Sequence, residues 1–164
     1  MPVQGRRKPS RTVLPRSHFT FTPEYMVAEH RILVVEDHVD TAEAFAIIFE
    51  ARGLRVSVAS NGQDALQILR NDQDYCAILL DLMMPGMDGR AFRRAQRADA
   101  RLADIPVIIV SGDPTLTEAA RQMGVTNFLK KPIDPVELVK AVERQCGDLL
   151  LSSTPASSGH VTTH

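Results

Sequence analysis

At 164 residues, with 44% hydrophobic side chains and a formal net charge of −1, the chain is long enough to bury one sizeable core and too nearly neutral to be a general polyanion binder. No apolar run approaches the roughly eighteen residues of a membrane span, and no apolar block follows the charged N-terminal stretch as a secretion signal would require, so a cytoplasmic location is expected. The two cysteines lack metal-ligand spacing and fit a reduced interior better than a disulfide framework, Cys76 as a small buried residue of a strand and Cys146 as a helix-end residue.

Residues 1–29 carry Arg6, Arg7, Lys8, Arg11 and Arg16 among four prolines, without sustained periodicity. They read as a disordered basic tail, with a basic arm for nucleic acid or an acidic partner, or an Arg-rich transit peptide, as alternatives. A compact unit over 30–147 follows, and 148–164 reads as a second disordered tail, of Ser, Thr, Pro and Gly from Ser152 on. Within the unit, strand and helix patterns alternate. Strand one is Arg31 to Val35, and helix one runs from about Val39 to Arg52, stopped by Gly53. On helix one Ala44, Ile47, Ile48 and Ala51 are expected to meet the sheet, leaving Ala42, Phe45, Ala46 and Phe49 as an apolar stripe for a docking partner, or for the tail through Phe19, Phe21 and Tyr25. Strand two is Arg55 to Ala59, and helix two follows Asn61-Gly62 and ends near Arg70. Strand three spans Tyr75 to Leu80, helix three about Gly89 to Ala98, and strand four Pro106 to Val110. Helix four covers about Thr115 to Met123 and strand five Asn127 to Leu129. Helix five runs from Pro135 to Cys146 with Asp134 as its N-cap. This alternation predicts an α/β fold with a parallel sheet and helices on both faces.

In such a sheet ligands sit beyond the carboxyl ends of the strands. Those ends carry Glu36-Asp37, Asp81, Ser111 and Lys131-Pro132, bringing three carboxylates, a hydroxyl and an ammonium together. The combination suits a divalent cation and a phosphoryl group.

These motifs, with Leu80-Asp81-Leu82-Met83-Met84-Pro85-Gly86-Met87-Asp88-Gly89 and Ser111-Gly112, resemble the signature of the receiver domain of two-component response regulators, in the family's order over roughly Arg31 to Cys146. The resemblance implies a flavodoxin-like, doubly wound five-stranded parallel sheet of order 2-1-3-4-5 with five helices. It also implies Mg²⁺ held by Asp37, Asp81 and the backbone carbonyl of Met83, with Glu36 acting through water. Asp81 would be the phosphoacceptor and Lys131 would steady the phosphoryl charge. Lys130, one residue earlier, is expected on the opposite face of strand five. Ser111 would hydrogen-bond the phosphoryl oxygen, and Phe128 would be the switch aromatic, burial in the core being its competing role. Apolar Met83, two residues after Asp81, implies slow hydrolysis of the phosphorylated form, although Asp113 lies close enough in sequence to Ser111 to reach the same mouth.

The function implied is that of a phosphoacceptor in a phosphorelay. It would catalyse only its own phosphorylation and dephosphorylation, taking the group from a histidine kinase or histidine phosphotransfer protein. The chain after Cys146 is too short for an output domain, so a stand-alone receiver is expected. It would switch an unknown downstream protein, or its own homodimer, through helix four, strand five and helix five, with Lys130 and Arg121 as charges a partner would read. A metal-dependent phosphohydrolase with an aspartyl nucleophile is the enzymatic alternative. The common halo-acid-dehalogenase pattern has a second Asp where Met83 stands. A phosphorylation-independent adaptor or nucleic-acid binder is the third reading, against which the intact Asp81, Ser111 and Lys131 weigh.

Overall fold

The computed structural model describes residues 30–147. β1 (Arg31–Val35), β3 (Ala77–Asp81) and β4 (Val107–Ser111) are aliphatic runs with almost no polar alternation, the pattern of strands covered on both faces, and they are buried nearly throughout. β2 (Arg55–Ala59) and β5 (Asn127–Lys130) are more exposed. They form the two edges of a parallel sheet of order β2-β1-β3-β4-β5, the order that the resemblance implies.

Side-chain alternation along the strands divides the core into two layers. Leu33, Val35, Ile78, Leu80 and Ile109 pack with α2 (Gly62–Asn71), α3 (Gly89–Ala98) and α4 (Leu116–Gln122). Ile32, Val34, Leu79, Ile108 and Val110 pack with α1 (Val39–Glu50) and α5 (Pro135–Cys146). Three helices begin on a side chain that satisfies an otherwise unpaired first-turn amide. Asn61 Oδ1 accepts from the amides of Gln63 and Asp64, and Asp88 Oδ1 from that of Ala91. Asp134 Oδ1 accepts from the Val136 amide, with Pro135 in the first turn as expected. None of the helices among the described residues is long and apolar enough to cross a membrane.

Two expectations are corrected. On α1 the face that meets the sheet is Ala42, Phe45 and Phe49, whereas Ile47 is 62% exposed and Ala44 and Ala51 are also exposed. The two stripes lie on nearly opposite sides of the helix and hold two alanines each, and the one that buries two phenyl rings removes more apolar area from water than the one that would bury two isoleucines. Phe45 and Phe49 are therefore core residues and not a docking contact. Phe19, Phe21 and Tyr25, the tail residues expected as an alternative cover for that stripe, lie outside the described residues, as do both tails.

Cys76 and Cys146 are joined in a disulfide across 70 residues, with Cα atoms 5.0 Å apart. Cys76 immediately precedes β3, and Cys146 ends the helix that packs on that face of the sheet. Their partnership is a product of tertiary packing that spacing in the chain does not reveal. Element ends also move by a residue or two: β3 starts at Ala77 and runs through Asp81, and β4 and β5 extend to Ser111 and Lys130.

Candidate functional site

The sheet register brings the carboxyl ends of β1, β3, β4 and β5 to one edge. Val35 pairs with Leu80, Asp81 with Val110, and Ser111 with Lys130, so the residues at or just beyond these ends converge. Asp81 closes β3 and is 6% exposed. Behind it the chain turns back into α3, and Gly89 stands where a Cβ would meet the Asp81 carbonyl oxygen at 2.3 Å and the Leu82 Cα at 2.8 Å. Glycine is thus required for α3 to start so close to the site.

Lys131 joins the acidic residues. Its Nζ donates to Asp81 Oδ2 at 3.0 Å and to Glu36 Oε2 at 2.6 Å. The second oxygens are also engaged: Asp81 Oδ1 accepts from the Met83 amide at 3.0 Å, and Glu36 Oε1 from the His38 amide at 3.1 Å. Burial acts to lower the Lys131 pKa, but the bonds to Glu36 and Asp81 outweigh it, so the ammonium is held charged above the ordinary lysine range. A cis peptide bond joins Lys131 to Pro132, and the Lys131 amide donates to the Ser111 carbonyl at 3.0 Å.

One ammonium does not balance the negative charge. Carboxylate oxygens of Glu36, Asp37 and Asp81 lie within 4.8 Å of one another, and Asp37 Oδ1 is buried without a hydrogen-bond partner. An orphaned oxygen beside two further carboxylates is an all-oxygen donor set suited to a small hard cation.

Ser111 is fully buried, and its hydroxyl oxygen accepts from the Asp113 amide at 3.2 Å. Asp113 is itself committed, taking hydrogen bonds from the Thr115 hydroxyl and amide and from Arg90 at 3.0 Å. Those three donors, with the Thr115 hydroxyl foremost, hold its carboxyl below the usual range. The Arg90 link ties α3 to the loop after β4, a contact that sequence reasoning missed. Met83 follows Asp81 by two residues with a 62% exposed side chain.

Phe128 and Lys130 are both exposed, Phe128 at 37%, while Leu129 between them packs into the core. Period-two alternation thus sends Lys130 away from the pocket that Lys131 enters. Phe128 and Lys130 border a groove of about 660 Å³ whose walls include Pro114 and Leu116 near α4 and Lys140 and Arg144 on α5.

The family model for the response regulator receiver domain matches residues 32–143. Protein PilH of Pseudomonas aeruginosa is 32% identical over 114 residues, which cover 68% of this chain and 93% of PilH. The DNA-binding response regulator MtrA of Mycobacterium tuberculosis is also 32% identical over 114 residues, again 68% of this chain but 48% of MtrA. Among solved structures, a response regulator receiver protein from Pseudomonas putida matches with a TM-score of 0.66 at 30% identity, covering 71% of this chain and 97% of its own. The receiver domain of the sensor histidine kinase PA1611 from Pseudomonas aeruginosa, with a magnesium ion coordinated in its active-site cleft, matches with a TM-score of 0.65 at 28% identity, covering 71% and 97%.

Proposed function

Because this chain belongs to the response regulator receiver domain family of two-component signalling, we propose that Asp81 is its phosphoacceptor, charged by a histidine kinase or histidine phosphotransfer protein. The observation that carries this reading is the Lys131 ammonium bridging Asp81 Oδ2 and Glu36 in a pocket with an orphaned Asp37 oxygen.

An Asp81 carboxylate oxygen attacks the phosphorus of a phosphohistidine. The new P–O bond forms as the P–N bond breaks, and the electron pair stays on the imidazole nitrogen, which takes its proton from solvent. Such a transfer demands in-line placement and charge neutralisation more than proton abstraction. Burial at the end of β3 and the Met83 amide fix the direction of the Asp81 carboxylate, and Lys131 faces the charge that gathers on the phosphoryl oxygens. Asp37, Asp81 and the Met83 carbonyl would hold Mg²⁺, with Glu36 acting through water. When bound, the ion would neutralise the remaining acidic and phosphoryl charge. The chain thereby catalyses only its own phosphorylation and dephosphorylation.

In this reading the Ser111 hydroxyl leaves the Asp113 amide to hydrogen-bond the new phosphoryl oxygen, and Phe128 moves inward from its exposed position. The altered surface of α4, β5 and α5 then binds a downstream protein or a second copy of the chain. The cytoplasm is the compartment we assign, since the phosphodonor is a kinase, and the Cys76–Cys146 disulfide sets a condition on it: the receiver must function with those thiols reduced. The phosphohydrolase reading finds no second carboxylate at Met83.

The test is incubation with Mg²⁺ and acetyl phosphate, read by intact mass. One added phosphate, labile to hydroxylamine and absent from Asp81→Asn, is expected. Label retained in that variant overturns the assignment.

A further inference from the structure

α3 carries Arg90, Arg93, Arg94 and Arg97 at positions i, i+3, i+4 and i+7, so all four share one face, and the helix contains no acidic residue. Arrangements of this kind cost stability. Like charges four apart repel, here Arg90 with Arg94 and Arg93 with Arg97, and a cation in the first turn opposes the helix dipole. Among the described residues only Arg90 of the four has a carboxylate partner, Asp113.

Arg93, at the edge of this face nearest the core, is held by the neighbouring Gln96. Gln96 is fully buried, and its Nε2 donates to the Leu102 and Ile105 carbonyls at 2.9 and 3.0 Å. That fixes Gln96 Oε1, which accepts from Arg93 Nη1 at 2.6 Å. The guanidinium of Arg93 is therefore anchored at one end, while its buried Nε has no partner. Burial, and then the charge of Arg97, pull the Arg93 pKa below the ordinary arginine range, as expected of a cation that lacks a counter-charge. Gly124, at φ +65°, closes the turn after α4, and a Cβ there would come within 3.6 Å of Arg97 Nη1. The four arginines with Gln122 and Met123 line a cleft of about 170 Å³.

We propose that this cleft between α3 and the end of α4 is an oxyanion site that takes the terminal phosphate or pyrophosphate group of a small phosphorylated ligand. The guanidinium fork matches phosphate oxygens bidentately, and several forks around one cleft suit a multiply charged group better than a single carboxylate. The cleft is smaller than the roughly 300 Å³ at which pockets for whole drug-sized ligands begin, so only the phosphate end enters it. The site is separate from the Asp81 pocket, whose carboxylates repel a free oxyanion when no metal is present.

The test titrates the full chain, in EDTA and physiological salt, with inorganic pyrophosphate and in parallel with ADP, following the arginine side-chain and backbone ¹⁵N–¹H resonances by NMR. Saturable shifts centred on Arg93, Arg97 and Gln122–Gly124 are expected, weakened at least tenfold by Arg93→Gln and by the exposed-site variant Arg97→Gln, and unchanged by Arg101→Gln. Tighter binding of ADP would identify a nucleotide as the source of the phosphate, and equal binding the inorganic anion. Non-saturating shifts with both probes, or equal weakening by Arg101→Gln, overturn the proposal.

Discussion

Lys131 illustrates how one side chain sets the character of the pocket. It neutralises part of two carboxylates that are 3% and 6% exposed, so Lys131→Ala leaves Glu36 and Asp81 buried and facing each other. Removing one partner of a buried ion pair costs about 3 kcal/mol at the lower end of the usual range, the end appropriate to a lysine that retains some solvent contact. Chemical denaturation without Mg²⁺ should show that loss, and an unchanged midpoint would mean the two carboxylates find other donors. Asp37 acts oppositely, since its orphaned oxygen has nothing to lose until a cation arrives. A hundredfold excess of Mg²⁺ over its Kd should stabilise the wild type by about 2.7 kcal/mol. Asp37→Ala should abolish most of that gain, and equal gains in both proteins would place the metal elsewhere. Asp113 gives a pH signature. Its folded pKa is depressed, chiefly by the Thr115 hydroxyl, then by the Thr115 amide and Arg90. Its stabilising contribution is therefore present above the unfolded value near 3.8 and is lost as pH falls through the lower folded value. A carboxyl-carbon NMR titration should find its midpoint below those of unpaired aspartates, and Thr115→Val should raise it. A wild-type midpoint at or above the ordinary value contradicts the hydrogen bonds described.

Among the elements, α1 shows where local pattern stops deciding. Its helical extent follows from local sequence, but its two candidate faces were both apolar, and only packing against Ile32, Val34 and Leu79 chose the one with Phe45 and Phe49. Phe49→Ala should cost about 3 to 5 kcal/mol and Ile47→Ala within about 0.5 kcal/mol. The reverse order in thermal or denaturant unfolding would mean that the Ile47 face, and not the Phe49 face, meets the sheet. The capping residue Asp134 was legible because a cap depends on a few neighbours in sequence, and the pocket residues because they stand at strand ends; the Asn61 cap was not named until the structure showed its bonds. The Arg90–Asp113 link was not, since it joins residues 23 apart whose approach depends on how α3 lies beside the loop after β4. The spacing of the four arginines on α3 was there to be read. The disulfide belongs with the non-local features. By chain entropy, closing a 70-residue loop is worth about 4.4 kcal/mol at most. Reducing the protein, or replacing both cysteines with serine, should lower unfolding stability by up to that amount while leaving acetyl-phosphate labelling intact. Labelling that depends on the disulfide would contradict the assigned compartment.

At the scale of the whole molecule, the sheet separates the site from the surface that would report its state by only the thickness of β4 and β5. Ser111 lies at the end of β4, and Phe128 and Lys130 stand exposed on the neighbouring strand beside α4 and α5. Occupying the pocket should therefore alter amide exchange over 116–131 more than on α2, which flanks β2 and α3 away from β5. Hydrogen-exchange mass spectrometry of the Mg²⁺-loaded chain with beryllofluoride, a stand-in for the phosphoryl group, follows this along the entire described unit. It should be run on wild type, Asp81→Asn and Ser111→Ala together. Protection changes concentrated in α4 and β5 of the wild type, reduced in Ser111→Ala and absent in Asp81→Asn, are the predicted result. Changes confined to α1, or equal changes in Asp81→Asn, would contradict a switch that starts at Asp81 and leaves through Ser111.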